Sequence, residues 1–171
     1  MFTVGILTIS DASSRGERED SSGPAIREML ACLDGTVVKY EIVPDDQSLI
    51  SQKLIDWADE NRIDLIVTTG GTGLAPRDVT PEATLHIADR LVPGLVEAMR
   101  AESLRKTPYA MLSRAVAAIR GGSLIVNLPG SPKGAGECLE VILPVLPHAM
   151  AILKGQTSQH NVPQHPGNKI C

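Results

Sequence analysis

The sequence predicts a three-layer α/β/α domain with a mainly parallel sheet and one antiparallel strand. Two observations carry this. Short β-branched apolar runs alternate with helix-like segments, and each early run ends in a polar or glycine-rich connection. Later, Gly121-Gly122 separates two further apolar runs, the pattern of a tight hairpin.

Taken in order, residues 3–9 (TVGILTI) read as a buried strand that ends at Ser10-Asp11 and a polar stretch, 12–22. Gly23-Pro24 opens a helix running to Leu33, with Ile26, Met29, Leu30 and Leu33 at helical spacing and Gly35 as its stop. Residues 36–43 form a second strand, closed by Pro44. Asp45-Asp46-Gln47-Ser48 leads into a helix with Ile50, Leu54, Trp57 and Ala58 on one face. Residues 64–69 form a third strand, entering Gly70-Gly71-Thr72-Gly73. Thr80-Pro81-Glu82 starts a helix that runs to about residue 91. Pro93-Gly94 breaks it, and a further helix covers 94–106. Residues 114–119 and 123–127 are the two arms of the hairpin. A last helical element follows Gly130-Ser131-Pro132 to about Leu153, kinked or split by Pro144 and Pro147. Residues 1–155 make one domain and 156–171 a flexible tail.

Composition narrows the function. The apolar fraction, 43%, supports a packed core, and aromatics at 2% leave it to Ile, Leu, Val and Ala. The net charge of −4 argues against nucleic acid as a partner. No signal peptide is evident, and no apolar run reaches the roughly 18 residues of a membrane helix. Cys32, Cys138 and Cys171 show no C-x-x-C pairing, so reduced thiols in a cytoplasmic protein are expected. The four histidines lack metal-binding spacing.

Ligands of open parallel sheets bind beyond the carboxyl ends of strands. Four such ends carry chemistry here: Ser10-Asp11, Pro44-Asp45-Asp46, Gly70 to Gly73, and Asn127 to Pro132. One crevice is expected to collect them. Glycines at 70, 71 and 73 let backbone amides converge on an anion, Thr72 adds a hydroxyl, and Asp78 is placed to hold a divalent cation against that anion. A plain glycine turn with a helix-capping Asp reads the same letters. Of Asp45 and Asp46, one caps the following helix and the other is left for a ligand or metal. Pro129, Gly130 and Ser131 open a helix whose N-terminus suits a phosphate, although a rigid connection explains them equally. Ser103 lies on a helix with no local sign of a nucleophile.

Together these segments resemble the molybdopterin adenylyltransferase family of the MogA type, and are similar to the G domains of gephyrin and of plant molybdenum-cofactor proteins. The resemblance rests on Ser10-Asp11, Val43-Pro44-Asp45, Thr69 to Gly73 with Arg77-Asp78-Val79-Thr80-Pro81-Glu82, Pro93-Gly94, Glu102-Ser103-Leu104, Leu112-Ser113-Arg114, Ile119-Arg120-Gly121 and Asn127 to Pro132. It implies molybdenum cofactor biosynthesis, by Mg2+-dependent adenylylation of molybdopterin with ATP and release of pyrophosphate. It makes Asp45 and Asp78 the essential acidic and metal-binding residues. Gly70, Gly71, Thr72 and Gly73 then bind nucleotide phosphates, Ser103 contacts pterin or nucleotide, and Ser10, Asp11, Pro129, Gly130 and Ser131 line the same pocket. A homotrimer and contact with a molybdenum-insertion protein are implied too. The rival readings are a MoaB-like relative, a nucleotide-processing domain of the same fold, and a non-catalytic trimeric scaffold that binds molybdopterin.

Overall fold

The computed structural model describes residues 1–156. The expected tail lies outside the described residues except for Gln156.

Six strands form one sheet in the order β2-β1-β3-β6-β5-β4. They are β1 (Phe2–Ile9), β2 (Gly35–Val43), β3 (Leu65–Thr69), β4 (Arg90–Leu91), β5 (Ala117–Arg120) and β6 (Ser123–Leu128). Strands β1, β2, β3 and β6 are mutually parallel, whereas β5 runs against both β6 and β4. The hairpin at Gly121-Gly122 and its antiparallel strand are therefore as expected.

Period-two alternation builds the three layers. Val4, Ile6, Leu65, Val67, Leu124 and Val126 point to one face, where they meet α2 (Ser22–Leu30), α5 (Pro93–Leu104), α6 (Pro132–Ile142) and α7 (Leu146–Leu153). Leu7, Ile9, Ile66 and Ile125 point to the other, against α3 (Gln47–Ile55), the π-helical turn Asp56–Glu60 with Trp57, and α4 (Thr80–Ile87). A four-residue α1 (Asp11–Ser14) follows β1 directly.

Several boundaries differ from expectation. Helix α2 ends at Leu30, and Gly35 opens β2 rather than stopping a helix. Helix α4 ends at Ile87 because the next residues serve the sheet: the Asp89 and Val92 amides donate to Ile119 and Ala117 carbonyls, which creates β4. Residues 114–116 precede β5 instead of belonging to it. The final element is split by a 3-10 turn, Leu143–Val145, at the expected prolines.

Two composition-based expectations need amendment. Pro132–Leu153 is long and apolar enough, by length and composition, to cross a membrane, but Ala135, Leu139, Ile142 and Leu146 are buried in the core. Cys138 is a free, buried thiol, whereas Cys32 is disulfide-bonded rather than reduced.

Candidate active site

The loops after β1, β2, β3 and β6 converge, as parallel topology demands. Gly70 and Gly71 make the approach possible. Both have positive φ, +101° and +62°, and a Cβ on Gly70 would fall on the Ile9 carbonyl oxygen. A Cβ on Gly71 would stand 3.1 Å from Asp45 Oδ1. The turn is fixed by Thr80, whose hydroxyl donates to the Gly70 carbonyl at 2.9 Å, and by the Thr69 hydroxyl, which donates to the Pro129 carbonyl at 2.7 Å.

Two adjoining cavities result. The first, about 340 Å3, is walled by Ser10, Asp20, Asp45, Gly70, Gly71 and Asp78 among others, and reaches Gly130 and Ser131. The second, about 350 Å3, lies beyond Thr72 and Gly73, between α5, the 3-10 helix Pro108–Leu112 and α6. Val96, Met99, Tyr109, Leu112 and Ala115 give it an apolar lining, with Ser103 and Cys138 on its wall. Ser131 borders both cavities. Its hydroxyl caps α6 by accepting the Gly134 amide at 3.1 Å.

The two acidic strand ends behave differently. Asp46 caps α3 by accepting the Leu49 amide at 2.8 Å, which leaves Asp45 for the cavity. Asp45 Oδ2 accepts the Asp11 amide at 2.9 Å, and the Asp45 amide donates back to Asp11 Oδ1 at 3.1 Å. Asp78 Oδ2 accepts the Ala75 amide at 2.9 Å. Each carboxylate is thus held by one oxygen, and the other accepts no hydrogen bond from the described residues. Burial, then the charges of Asp11 and Asp78, push the Asp45 carboxyl above its ordinary range against the pull of the Asp11 contact. A divalent cation fits this pair: it would relieve the repulsion and find two free oxygens. Among the described residues no group of three or more His, Cys, Asp or Glu could hold a metal. Two carboxylates suffice for Mg2+ when substrate phosphates complete its shell.

The comparisons with known proteins bear on this geometry. Residues 5–148 match the family model described as a probable molybdopterin binding domain. The chain belongs to the molybdopterin-binding domain family. It is similar to the molybdopterin adenylyltransferase of Helicobacter pylori strain J99, 48% identical over 160 residues, covering 92% of this chain and 91% of that protein. Gephyrin of Dictyostelium discoideum is 42% identical over 165 residues, 91% of this chain but 23% of its own length. A crystal structure from Thermus thermophilus, described as the molybdopterin biosynthesis enzyme MoaB, superposes with a TM-score of 0.87 at 60% identity, covering 91% of this chain and 98% of that one.

Within this family member, the expected site residues separate. Ser10, Asp45, Gly70, Gly71, Asp78, Gly130 and Ser131 meet at the first cavity. Thr72, Gly73, Ser103 and Pro129 face the second; each of the four strand ends contributes to the first cavity, and the second adjoins it at Ser131. Asp11 is corrected from a lining residue to a buttress. Its carboxylate takes two hydrogen bonds from Arg77, at 3.0 and 2.8 Å, and steadies the Asp45 backbone. The Arg77 hydrogen bond first of all holds the Asp11 carboxyl low. Burial pushes the Cys138 thiol up, which disfavours a nucleophilic thiolate beside Ser103.

Sequence reasoning missed Asp20 and Arg18, which lie in a stretch read only as polar loop. Asp20 accepts the Thr8 hydroxyl at 2.6 Å, the Tyr40 hydroxyl at 2.7 Å, and the Ser22 and Gly23 amides. Burial raises its carboxyl, but these donors outweigh burial and hold it below its ordinary range. Tyr40 is pushed up to about 12, by burial and then by Asp20. The available signal was an Asp two residues before Ser22-Gly23-Pro24, the position of a helix-entry acceptor.

Proposed function

We propose that this chain is a molybdopterin adenylyltransferase of molybdenum cofactor biosynthesis, acting on molybdopterin and ATP with Mg2+. The observation that carries the reading is the Asp45–Asp78 pair at the first cavity, each with one oxygen free, in a chain 48% identical to a protein of that name.

A terminal phosphate oxygen of molybdopterin attacks the α-phosphorus of ATP. The new P–O bond forms as the bond to the β-phosphate oxygen breaks, and pyrophosphate leaves with that electron pair. A phosphate monoester is already largely ionised at neutral pH, so no side chain has to take a proton. The protein's work is placement and charge control. Asp45 and Asp78 would hold the cation; bound there, it would neutralise charge on the transferring phosphates. Gly70 and Gly71 leave the phosphates room at the backbone, and Ser10, Gly130 and Ser131 supply the far wall, with the α6 N-terminus favouring negative charge. The apolar second cavity suits a flat ring system, with Ser103 as a polar contact.

Assembly belongs to the same reading. A homotrimer is supported by apolar side chains left in water near the second cavity: Tyr109 is 77% exposed, Met111 64% and Leu74 63%. Contact with a molybdenum-insertion protein follows from what the product is for, and ATP as co-substrate carries with it a cytoplasmic location.

The test is release of pyrophosphate from ATP by the purified protein with and without molybdopterin. Molybdopterin-dependent release is expected. The 60% identity to the structure described as MoaB favours a second reading, in which the chain serves molybdopterin biosynthesis without this transfer. Binding of molybdopterin with no pyrophosphate formed would select that reading or the scaffold.

A further inference from the structure

Asp78 sits on an irregular loop, residues 73–78, whose carbonyls have no ladder or helix to satisfy them. Locally the loop is closed by two contacts: the Asp78 amide donates to the Ala75 carbonyl at 2.9 Å, and the Ala75 amide donates to Asp78 Oδ2. On the side of the first cavity Arg77, within the loop, is paired with the Asp11 carboxylate; on the side of the second, the loop carbonyls are held by one side chain. Arg114 Nε donates to the Gly73 carbonyl at 2.7 Å and Nη2 donates to the Asp78 carbonyl at 2.5 Å, so a single guanidinium joins the two ends of the loop. Its third edge pairs with Glu82 in the first turn of α4, whose other carboxylate oxygen is buried without a partner. The Arg114 backbone adds a fourth tie, its amide donating to the Thr72 carbonyl at 3.0 Å.

The segment that carries Arg114 is itself anchored at the other cavity. Ser113 and Ala115 line that cavity, and Arg100, also on its wall, donates to the Ser113 carbonyl at 3.1 Å. Arg114 therefore reaches from the wall of the apolar cavity to the loop that faces the carboxylate cavity.

We propose that Arg114 is a positioning residue for Asp78, clamping the loop 73–78 from the wall of the second cavity so that the Asp78 carboxylate stands in the first. Its kinetic consequence rests on the adenylyltransferase reading; the clamp itself does not. A guanidinium is required because three acceptors in different directions have to be reached by one rigid planar fork. A lysine ammonium at the end of a flexible stem cannot span both carbonyls and Glu82 together.

The experiment uses Arg114→Gln and Arg114→Lys in the full chain. Amide exchange of the ligand-free protein is followed at Ala75 and Asp78, with β1 and β3 amides as internal reference. Loss of a hydrogen bond to a charged donor predicts roughly ten- to a hundredfold faster exchange in the loop, with the strands unchanged. With ATP and molybdopterin, kcat is expected to fall about 10²-fold, the effect of a small misplacement of a reacting group, while KM for ATP moves little. Arg114→Lys should not restore kcat. If Arg114→Gln fails to fold, Arg114→Lys carries both readouts. Loop exchange at the parent rate in the folded variants overturns the proposal. So does uniformly faster exchange, strands included, with kcat per folded molecule unchanged, since that is the mark of a merely structural arginine. If the parent releases no pyrophosphate, the adenylyltransferase reading fails and the exchange measurement still decides on the clamp.

Discussion

The two cavities sit side by side at one end of the sheet, yet they are built by opposite means. The first lies beyond β1, β2 and β3, where parallel strands deliver chain ends and free backbone groups to one place, and backbone amides hold one oxygen of each of the Asp45 and Asp78 carboxylates. The second lies where that pattern stops. Strand β5 is antiparallel to β6, so the chain enters β5 at this end instead of leaving it. The entering segment, 112–116, becomes a wall, and α5 and α6 complete it with apolar side chains. Parallel topology gathers charge-bearing loops, whereas the one reversed strand exchanges a loop for a hydrophobic wall. The reversal also brings Arg114 to the loop that bears Asp78.

This contrast is best broken at its charged side. Asp45→Asn and Asp78→Asn keep the shape of the first cavity and remove one charge each. Pyrophosphate release is expected to fall about 10²–10³-fold, the usual cost of one lost electrostatic contact to developing charge. Molybdopterin affinity, measured by titration, should change far less. Near-parent turnover by both variants would show that the first cavity is not where charge is handled.

The apolar side is probed by filling it. Ser103→Leu adds bulk beside Cys138 without touching the carboxylates. Weakening of molybdopterin binding by about tenfold or more is expected, with ATP binding unchanged. Equal losses for both ligands would mean that the cavities do not divide the substrates.

Asp20 tests whether hydrogen bonds hold the first cavity together. Asp20→Ala leaves the Thr8 and Tyr40 hydroxyls without their acceptor and should cost about 1–3 kcal/mol of stability. The carboxyl is held below its ordinary value, so its contribution is present at neutral pH and is lost as pH falls through its folded value. Thermal melts of parent and variant should therefore converge in acid.

The smallest effect concerns Asp45 in the absence of ligands. Its carboxyl is raised, so the charged form opposes folding at neutral pH and the opposition is relieved as pH falls. Asp45→Asn should melt slightly above the parent at neutral pH, and the difference should vanish on acidification. A lower melting temperature for the variant would mean that the carboxylate is structurally favourable, against the repulsion described here.

The layered fold, the four chemistry-bearing strand ends and the reversed strand were legible in the amino-acid order, because these are written in local terms: apolar periodicity, glycine turns and helix starts. The same local terms limited Asp45 and Asp46 to one cap and one free carboxylate, and left only the assignment open. Packing in three dimensions settled that Asp46 caps and Asp45 faces the cavity. It also settled that Asp11 braces Asp45, that β4 replaces the end of a helix, and that an apolar cavity adjoins the crevice. Asp20 and Arg114 belong to the same class. Arg114 meets Gly73 and Asp78 across 41 and 36 residues, and Asp20 meets Tyr40 across 20. Such pairings carry no local signature. They depend on which strand ends the sheet order sets side by side, and that order is fixed only when the two hydrophobic faces close over the sheet.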